Sequence, residues 1–193
     1  MNFVLVVMRC QSKGEVLYFF FTMRRKDREV TNFKEVIDIL SRCEVMHLAM
    51  VSEGKPYSVP LNFGFAVKDA GNSKCVELYF HGAKDGKKVR ALCENPNVCF
   101  SAVASAQAES LSEDKSVACN WTCFYESVIG SGQATFLETV EEKEAALDAL
   151  MLHNGYKLPE GMSKIPYKTA AFAHVTVVKI TVDEITGKRH AKG

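Results

Sequence analysis

The spacing of apolar residues changes several times along this chain, and each change marks an element. Phe33, Val36, Ile37 and Leu40 recur at three- and four-residue intervals behind Asn32, and Glu35 stands where a capping box wants it, so an amphipathic helix starts here. From Val45 to Val51 the pattern is that of a strand; Glu53-Gly54-Lys55-Pro56 reads as a turn, and Tyr57 to Val67 as the second strand of the same hairpin. Pro60 and Gly64 interrupt that strand. Proline has no N–H to give a ladder, so the strand is expected to bulge or to expose an unpaired edge, where a planar ligand can meet free backbone groups. After a turn over Asp69 to Lys74, Val76, Leu78 and Phe80 alternate with Glu77 and Tyr79. Val89, Leu92 and Cys93 then return to helical spacing as far as Glu94.

Asn95-Pro96-Asn97 stops that helix, and Val98 to Val103 begins another strand. Residues 104–118, rich in Ala, Ser and acidic side chains, read as a mobile loop widening the next hairpin. Trp121 to Phe136 supplies one long strand, or two with a bend at Gly130 and Gly132. Thr139 and Glu142 form a second capping box, ahead of a helix carrying Ala145, Ala146, Leu147, Ala149 and Leu150. Residues 153–170 are a connection containing Gly and Pro, and Phe172 to Val182 is the closing strand. The expected fold is α+β: about six antiparallel strands in a small barrel, with flanking helices.

Composition narrows the function classes. With 193 residues, 47% of them hydrophobic, the chain can bury one substantial core and is expected to form one domain. A net charge of +1 offers no broad field for nucleic acid or acidic membranes, so any anion recognition must be local. Seven scattered cysteines without a secretory leader fit reduced thiols and a cytoplasmic location. Cys119 and Cys123 lack a second ligand pair, and no metal site is expected. The apolar runs Phe3 to Met8 and Val16 to Phe21 are too short to span a bilayer and are separated by Arg9, Lys13 and Glu15. Residues 1–22 are therefore expected to be an N-terminal extension outside the fold, with the functional domain over 23–193.

One local cluster carries candidate chemistry. The strand ending at Phe80 and His81 passes through Gly82, Lys84, Asp85 and Gly86 into a helix, which Asp85 can cap. Lys87 and Lys88 then fall in the first turn, where free N–H groups and the macrodipole already make the potential positive. A bound phosphate would resolve that conflict, and Gly82 and Gly86 would let backbone approach it. A solvated charged turn is the alternative reading of the same residues.

The order of these segments resembles that of the FMN-binding split-barrel flavoproteins related to pyridoxamine 5'-phosphate oxidase, and within them the nitroimidazole-resistance (Nim) subgroup. The matching stretches are Cys43 to Met50, Gly54-Lys-Pro-Tyr-Ser-Val-Pro-Leu-Asn-Phe-Gly64, Leu78-Tyr-Phe-His-Gly82, Gly86-Lys-Lys88 with Asn95-Pro96, Trp121-Thr with Ser127-Val-Ile-Gly130, and Glu184-Ile-Thr-Gly187. The resemblance implies a split β-barrel that binds FMN in a cleft between the two subunits of a homodimer. It assigns the phosphate to Lys87 and Lys88, with Lys84 a weaker candidate. It sets the backbone of Pro60, Leu61, Asn62 and Phe63 against the isoalloxazine ring, Phe80 and His81 against ribityl or ring, and Ser127 at a polar position facing the flavin. Trp121 would cover the flavin from the partner subunit or anchor the interface. His81 is the catalytic candidate, as a hydrogen-bond donor or proton relay to a reduced substrate.

The chain also departs from the parent oxidases. It ends in Thr186-Gly-Lys-Arg-His190 instead of their arginine-rich signature for pyridoxal phosphate, so vitamin B6 oxidation is not expected. The implied activity is electron transfer from a reduced donor such as a nicotinamide, through FMN, to a small acceptor such as a nitroaromatic or quinone. Two alternatives stay open: a protein that binds FMN, FAD or haem without turnover of its own, with His81 as a haem ligand, and a cofactor-free interaction module.

Overall fold

A computed structural model describes residues 23–70 and 73–192. The expected extension over residues 1–22 lies outside the described residues. Among the described residues eleven strands and α-helices follow in order: β1 (Glu29–Val30), α1 (Phe33–Ser41), β2 (Val45–Ser52), β3 (Lys55–Asn62), β4 (Gly64–Ala70), β5 (Ser73–Ala83), α2 (Lys87–Glu94), β6 (Asn97–Ser110), β7 (Trp121–Phe136), α3 (Val140–His153) and β8 (Val175–His190). The strands pair antiparallel in the order β3-β2-β6-β7-β8-β5-β4, and β1 adds to β8.

The two outermost strands of that path, β3 and β4, are consecutive in sequence and only Phe63 lies between them. Opposite edges joined by one residue cannot stay a sheet's width apart. The sheet must curl until they meet, giving a barrel split along the β3/β4 seam. Phe63 at the corner is fully buried. Inside, Met46, Leu48, Leu78, Phe80, Phe100 and Ile180 form the core, with Ile39 and Leu40 of α1 and Leu92 of α2 packed into the same cluster.

Eight strands replace the expected six or so, because the segment read as one strand over Tyr57 to Val67 turns its corner at Phe63 and because Val30 and Glu29 add a short pair to β8. The expected loop over 104–118 is a correction of a different kind. β6 continues to Ser110, pairing Ser105 through Ser110 with Glu126 through Trp121 after a bulge past Val103. Ala and Ser favour strands weakly, but the aromatic-rich opposite segment decides the pairing. Trp121 to Phe136 is one strand, and the closing strand runs Val175–His190.

Two clamps hold the helices. At α1, the Asn32 side chain accepts from the N–H groups of Lys34 and Glu35, as a cap should, whereas the Glu35 carboxylate turns outward to Arg189 at 2.8 Å. Arg189 also donates to Glu126 at 2.7 Å, and Arg42 donates to the other Glu126 oxygen. Hydrogen bonding to Arg42, and then to Arg189, holds the Glu126 carboxyl below its ordinary range. Exposed pairs of this kind contribute little singly, but together they fix how α1 lies on the sheet.

At the seam, Asn154 just after α3 donates to the Phe63 carbonyl at 2.9 Å. The His153 ring lies 4.8 Å from Phe63 and 5.2 Å from Phe65, and its Nε2 donates to the Cys43 carbonyl at 2.8 Å. The backbone of α3 rests directly on Gly64, where an added Cβ would overlap Ala149 and Leu150. Gly64→Ala should therefore push α3 off the seam and cost about 1–3 kcal/mol, the usual range for overpacking. In urea denaturation this appears as a lower midpoint at unchanged slope; an unchanged midpoint would show that α3 does not rest on β4.

Candidate functional site

The residues that come together lie where α2 begins, beside β3 and β5. Gly86 is the N-cap of α2 with φ 140°, a conformation that suits glycine, and it brings no side chain to the helix end. Asp85, expected as the cap, instead pairs with Arg90 at 2.7 Å. The first turn holds no acidic residue. Lys87 and Lys88 thus face the positive end of the helix without a carboxylate of their own.

Both lysines lean on aromatic rings. Lys87 Nζ lies 4.6 Å from the centroid of Tyr57 on β3, and Lys88 Nζ 4.9 Å from that of Phe80 on β5. Lys88 is half-buried beside Gly82; Nζ stands 3.1 Å from where a Cβ on that glycine would be. Burial pushes the Lys88 ammonium below the usual lysine range. Ring faces compensate a desolvated cation only in part, so the Lys88 ammonium stays under-compensated in this turn. Tyr57 was not singled out by sequence. Its one visible signal is an aromatic at a core-facing position of the proline-containing strand.

The remaining candidates distribute as follows. Phe80 is buried in the core and meets the site only through Lys88. Strand alternation sets His81 on the opposite face of β5, the face Tyr79 shares with α3, where the imidazole is exposed. On that face Tyr79 donates to Glu77 at 2.5 Å, and Lys179 stands 3.4 Å from the same carboxylate. Burial, then the bond to Glu77, raises the Tyr79 hydroxyl well above the ordinary tyrosine range. Lys84 is exposed in the turn before α2.

Pro60, Leu61 and Asn62 lie on β3, an edge strand whose only neighbour among the described residues is β2, so the outer backbone groups there are unpaired within the described sheet, as expected. Leu61 packs on the core, and Asn62 donates to the Glu44 carbonyl at 3.2 Å. Ser127 sits on the outer face of β7 between Val103 and Lys188. Trp121 begins β7, 46% exposed, with its indole N–H on the Lys115 carbonyl at 2.9 Å. Phe136, level with Phe80 across β8, is fifteen residues further along β7. Within one protomer, then, neither Ser127 nor Trp121 belongs to the lysine cluster.

Among the described residues no group of His, Cys, Asp or Glu side chains is arranged to hold a metal ion, and no helix is long and apolar enough to cross a membrane. Residues 33–189 match the family model described as pyridoxamine 5'-phosphate oxidase. Among solved structures, a candidate 5-nitroimidazole antibiotic resistance protein from Bacteroides thetaiotaomicron is 28% identical, with a TM-score of 0.66 over 83% of this chain and 85% of that one. A flavocytochrome from Azotobacter vinelandii shares 18% identity and a TM-score of 0.66 over 89% of this chain and 73% of its own. An FAD- and haem-binding protein from Mycobacterium smegmatis shares 21% identity and a TM-score of 0.65 over 86% and 74%. No curated protein matches the chain.

Proposed function

The chain belongs to the pyridoxamine 5'-phosphate oxidase family, and from that membership we propose that it is an FMN-dependent oxidoreductase related to the Nim proteins, passing electrons from a reduced donor to a small acceptor. The observation that carries this reading is the pair Lys87 and Lys88 at an acid-free helix start. A phosphate monoester fits there: two ammonium groups and the free N–H groups of the first turn are donors without an anionic acceptor, and Gly86 puts no side chain in the way. The similarity to the Bacteroides protein supports the Nim side of the family over vitamin B6 oxidation.

When bound, the flavin supplies the hydride or electron transfer itself. The protein's own residues bind and orient. Lys87 and Lys88 hold the phosphate, and the unpaired outer edge of β3 at Pro60 to Asn62 offers backbone groups to a planar ring, while the Phe63 carbonyl is taken by Asn154. His81 holds or gives a proton at a ring nitrogen toward the acceptor. Its exposure at the end of β5 keeps the imidazole available, since no hydrogen bond within the described residues commits it.

The functional unit in this reading is a homodimer. The outer sheet face exposes Val45, Val51, Val103 and Ile129 on β2, β6 and β7, an apolar surface across adjacent strands. A twofold partner would cover it and bring Ser127 and Trp121 toward a second protomer's cofactor. Light scattering at micromolar concentration should give a dimer; a stable monomer that still holds FMN would overturn this part.

The purified protein should be yellow, with FMN in the extracted ligand; a Soret band, or a colourless protein that takes up no flavin, would overturn the assignment. Replacing Lys87 and Lys88 by alanine removes charge-assisted hydrogen bonds of about 1.5–3 kcal/mol each, so FMN should bind roughly tenfold or more weakly while riboflavin barely changes. Equal weakening of both would put the anchor elsewhere. His81→Ala should retain flavin content and lose turnover with a nitroaromatic or quinone, whereas full activity in that variant would leave His81 a turn residue.

A further inference from the structure

A cavity of about 500 Å3 opens where the end of β8 meets β1 and the start of α1, and the geometry points to it as a binding site for a small organic oxyanion. It is remote from the lysine pair within the protomer. Gly82, beside Lys88, pairs with Thr176 near the beginning of β8, while His190 ends that strand. The volume is in the range of small-molecule sites.

The charges lining it are unevenly satisfied. Arg25, Arg28, Arg189 and Lys192 face Asp27, Glu29 and Glu35 around the cavity. Arg25 holds Asp27 through two bonds of 2.6 and 2.8 Å, Arg189 holds Glu35 and Glu126, and Lys192 pairs with Glu109. Arg28 is different. Its nearest carboxylate, Asp27, stands 4.0 Å from Nε, and Nε is buried with no hydrogen-bond partner among the described residues. Its Nη2 lies 3.3 Å from His190 Nε2. His190 Nδ1 donates to the Cys123 carbonyl at 2.7 Å, so the neutral ring carries its proton there and offers Arg28 only a lone pair.

The other support for this guanidinium is the Tyr125 ring face, 6.0 Å away. With Asp27 only at the 4.0 Å limit of ion pairing and already held by Arg25, this partly buried cation lacks a hydrogen-bonded anionic acceptor. A carboxylate or phosphate group in the cavity supplies one, as a charge-assisted bond to Arg28. The helix start does not carry the site, because Asn32 already caps α1. The inference goes beyond the flavin reading and does not depend on it.

The test is calorimetric titration of flavin-saturated protein with inorganic phosphate and, separately, with succinate; if no flavin binds, the Lys87→Ala/Lys88→Ala variant is used so that the lysine turn cannot answer. One probe should bind saturably, and which one distinguishes a phosphate from a carboxylate ligand. Arg28→Gln should weaken it by roughly tenfold or more, since a charge-assisted bond is lost. In the wild-type protein the Arg28 Nε–H resonance, identified by its loss in Arg28→Lys, should shift along the same titration, which keeps the test valid if Arg28→Gln misfolds. Failure of both probes to saturate at millimolar concentration, equal binding in Arg28→Gln, or an unmoved Arg28 resonance would each overturn the site.

Discussion

One residue between two sheet edges sets the geometry of this protein. Phe63 joins β3 to β4, which lie at opposite ends of the strand order, so the sheet can be hydrogen-bonded along its path only by rolling up. The corner must then be held, because a split barrel has no ladder across its seam. Burial of the Phe63 ring, the Asn154 bond to its carbonyl and the close rest of α3 on Gly64 do that work from three directions. The His153 ring beside Phe63 and Phe65 extends the same clamp to the Cys43 carbonyl at the start of β2.

The curl is also what assembles the lysine site. Tyr57 belongs to one edge strand and Phe80 to a strand next to the opposite edge, and they sit at the far ends of the strand order. Only in the rolled sheet can a single helical turn place Lys87 over one ring and Lys88 over the other. The arrangement is unfavourable to itself: two cations share the positive end of α2, and one of them is desolvated. The aromatic faces offset part of that, and an anion would offset more. Folding energy from the barrel core thus maintains a cationic turn that local interactions would not choose.

Local chemistry made much of this legible. The periodicity of α1, the capping box of α3 and the alternation in β5 follow from contacts within a few residues, and all three appear in place; the Thr139 and Glu142 box is complete in both directions. Non-local choices were hidden. Nothing near Glu35 indicates that Arg189, more than 150 residues away, will draw its carboxylate from the cap. Asp85 instead gives up the expected cap locally, pairing with Arg90 five residues on while Gly86 caps α2. Ser105 to Ser110 has the composition of a loop and becomes strand because its partner is Trp121 to Glu126. The family resemblance reached the split barrel through motif order, which no single periodicity could have supplied.

The site itself divides along the same line. Sequence placed Lys87 and Lys88 in the first turn of a helix preceded by glycines, a local pattern, but the face on which His81 stands depends on which side of β5 meets the core. Phe80 faces inward, so His81 faces outward with Tyr79. From the Lys88 side of β5 the imidazole is therefore reached around the end of the strand, not across the barrel. The same alternation leaves Val45 and Val51 of β2, Val103 of β6 and Ile129 of β7 exposed on the outer face of the sheet, because their neighbours Met46, Ala102 and Val128 take the inner one.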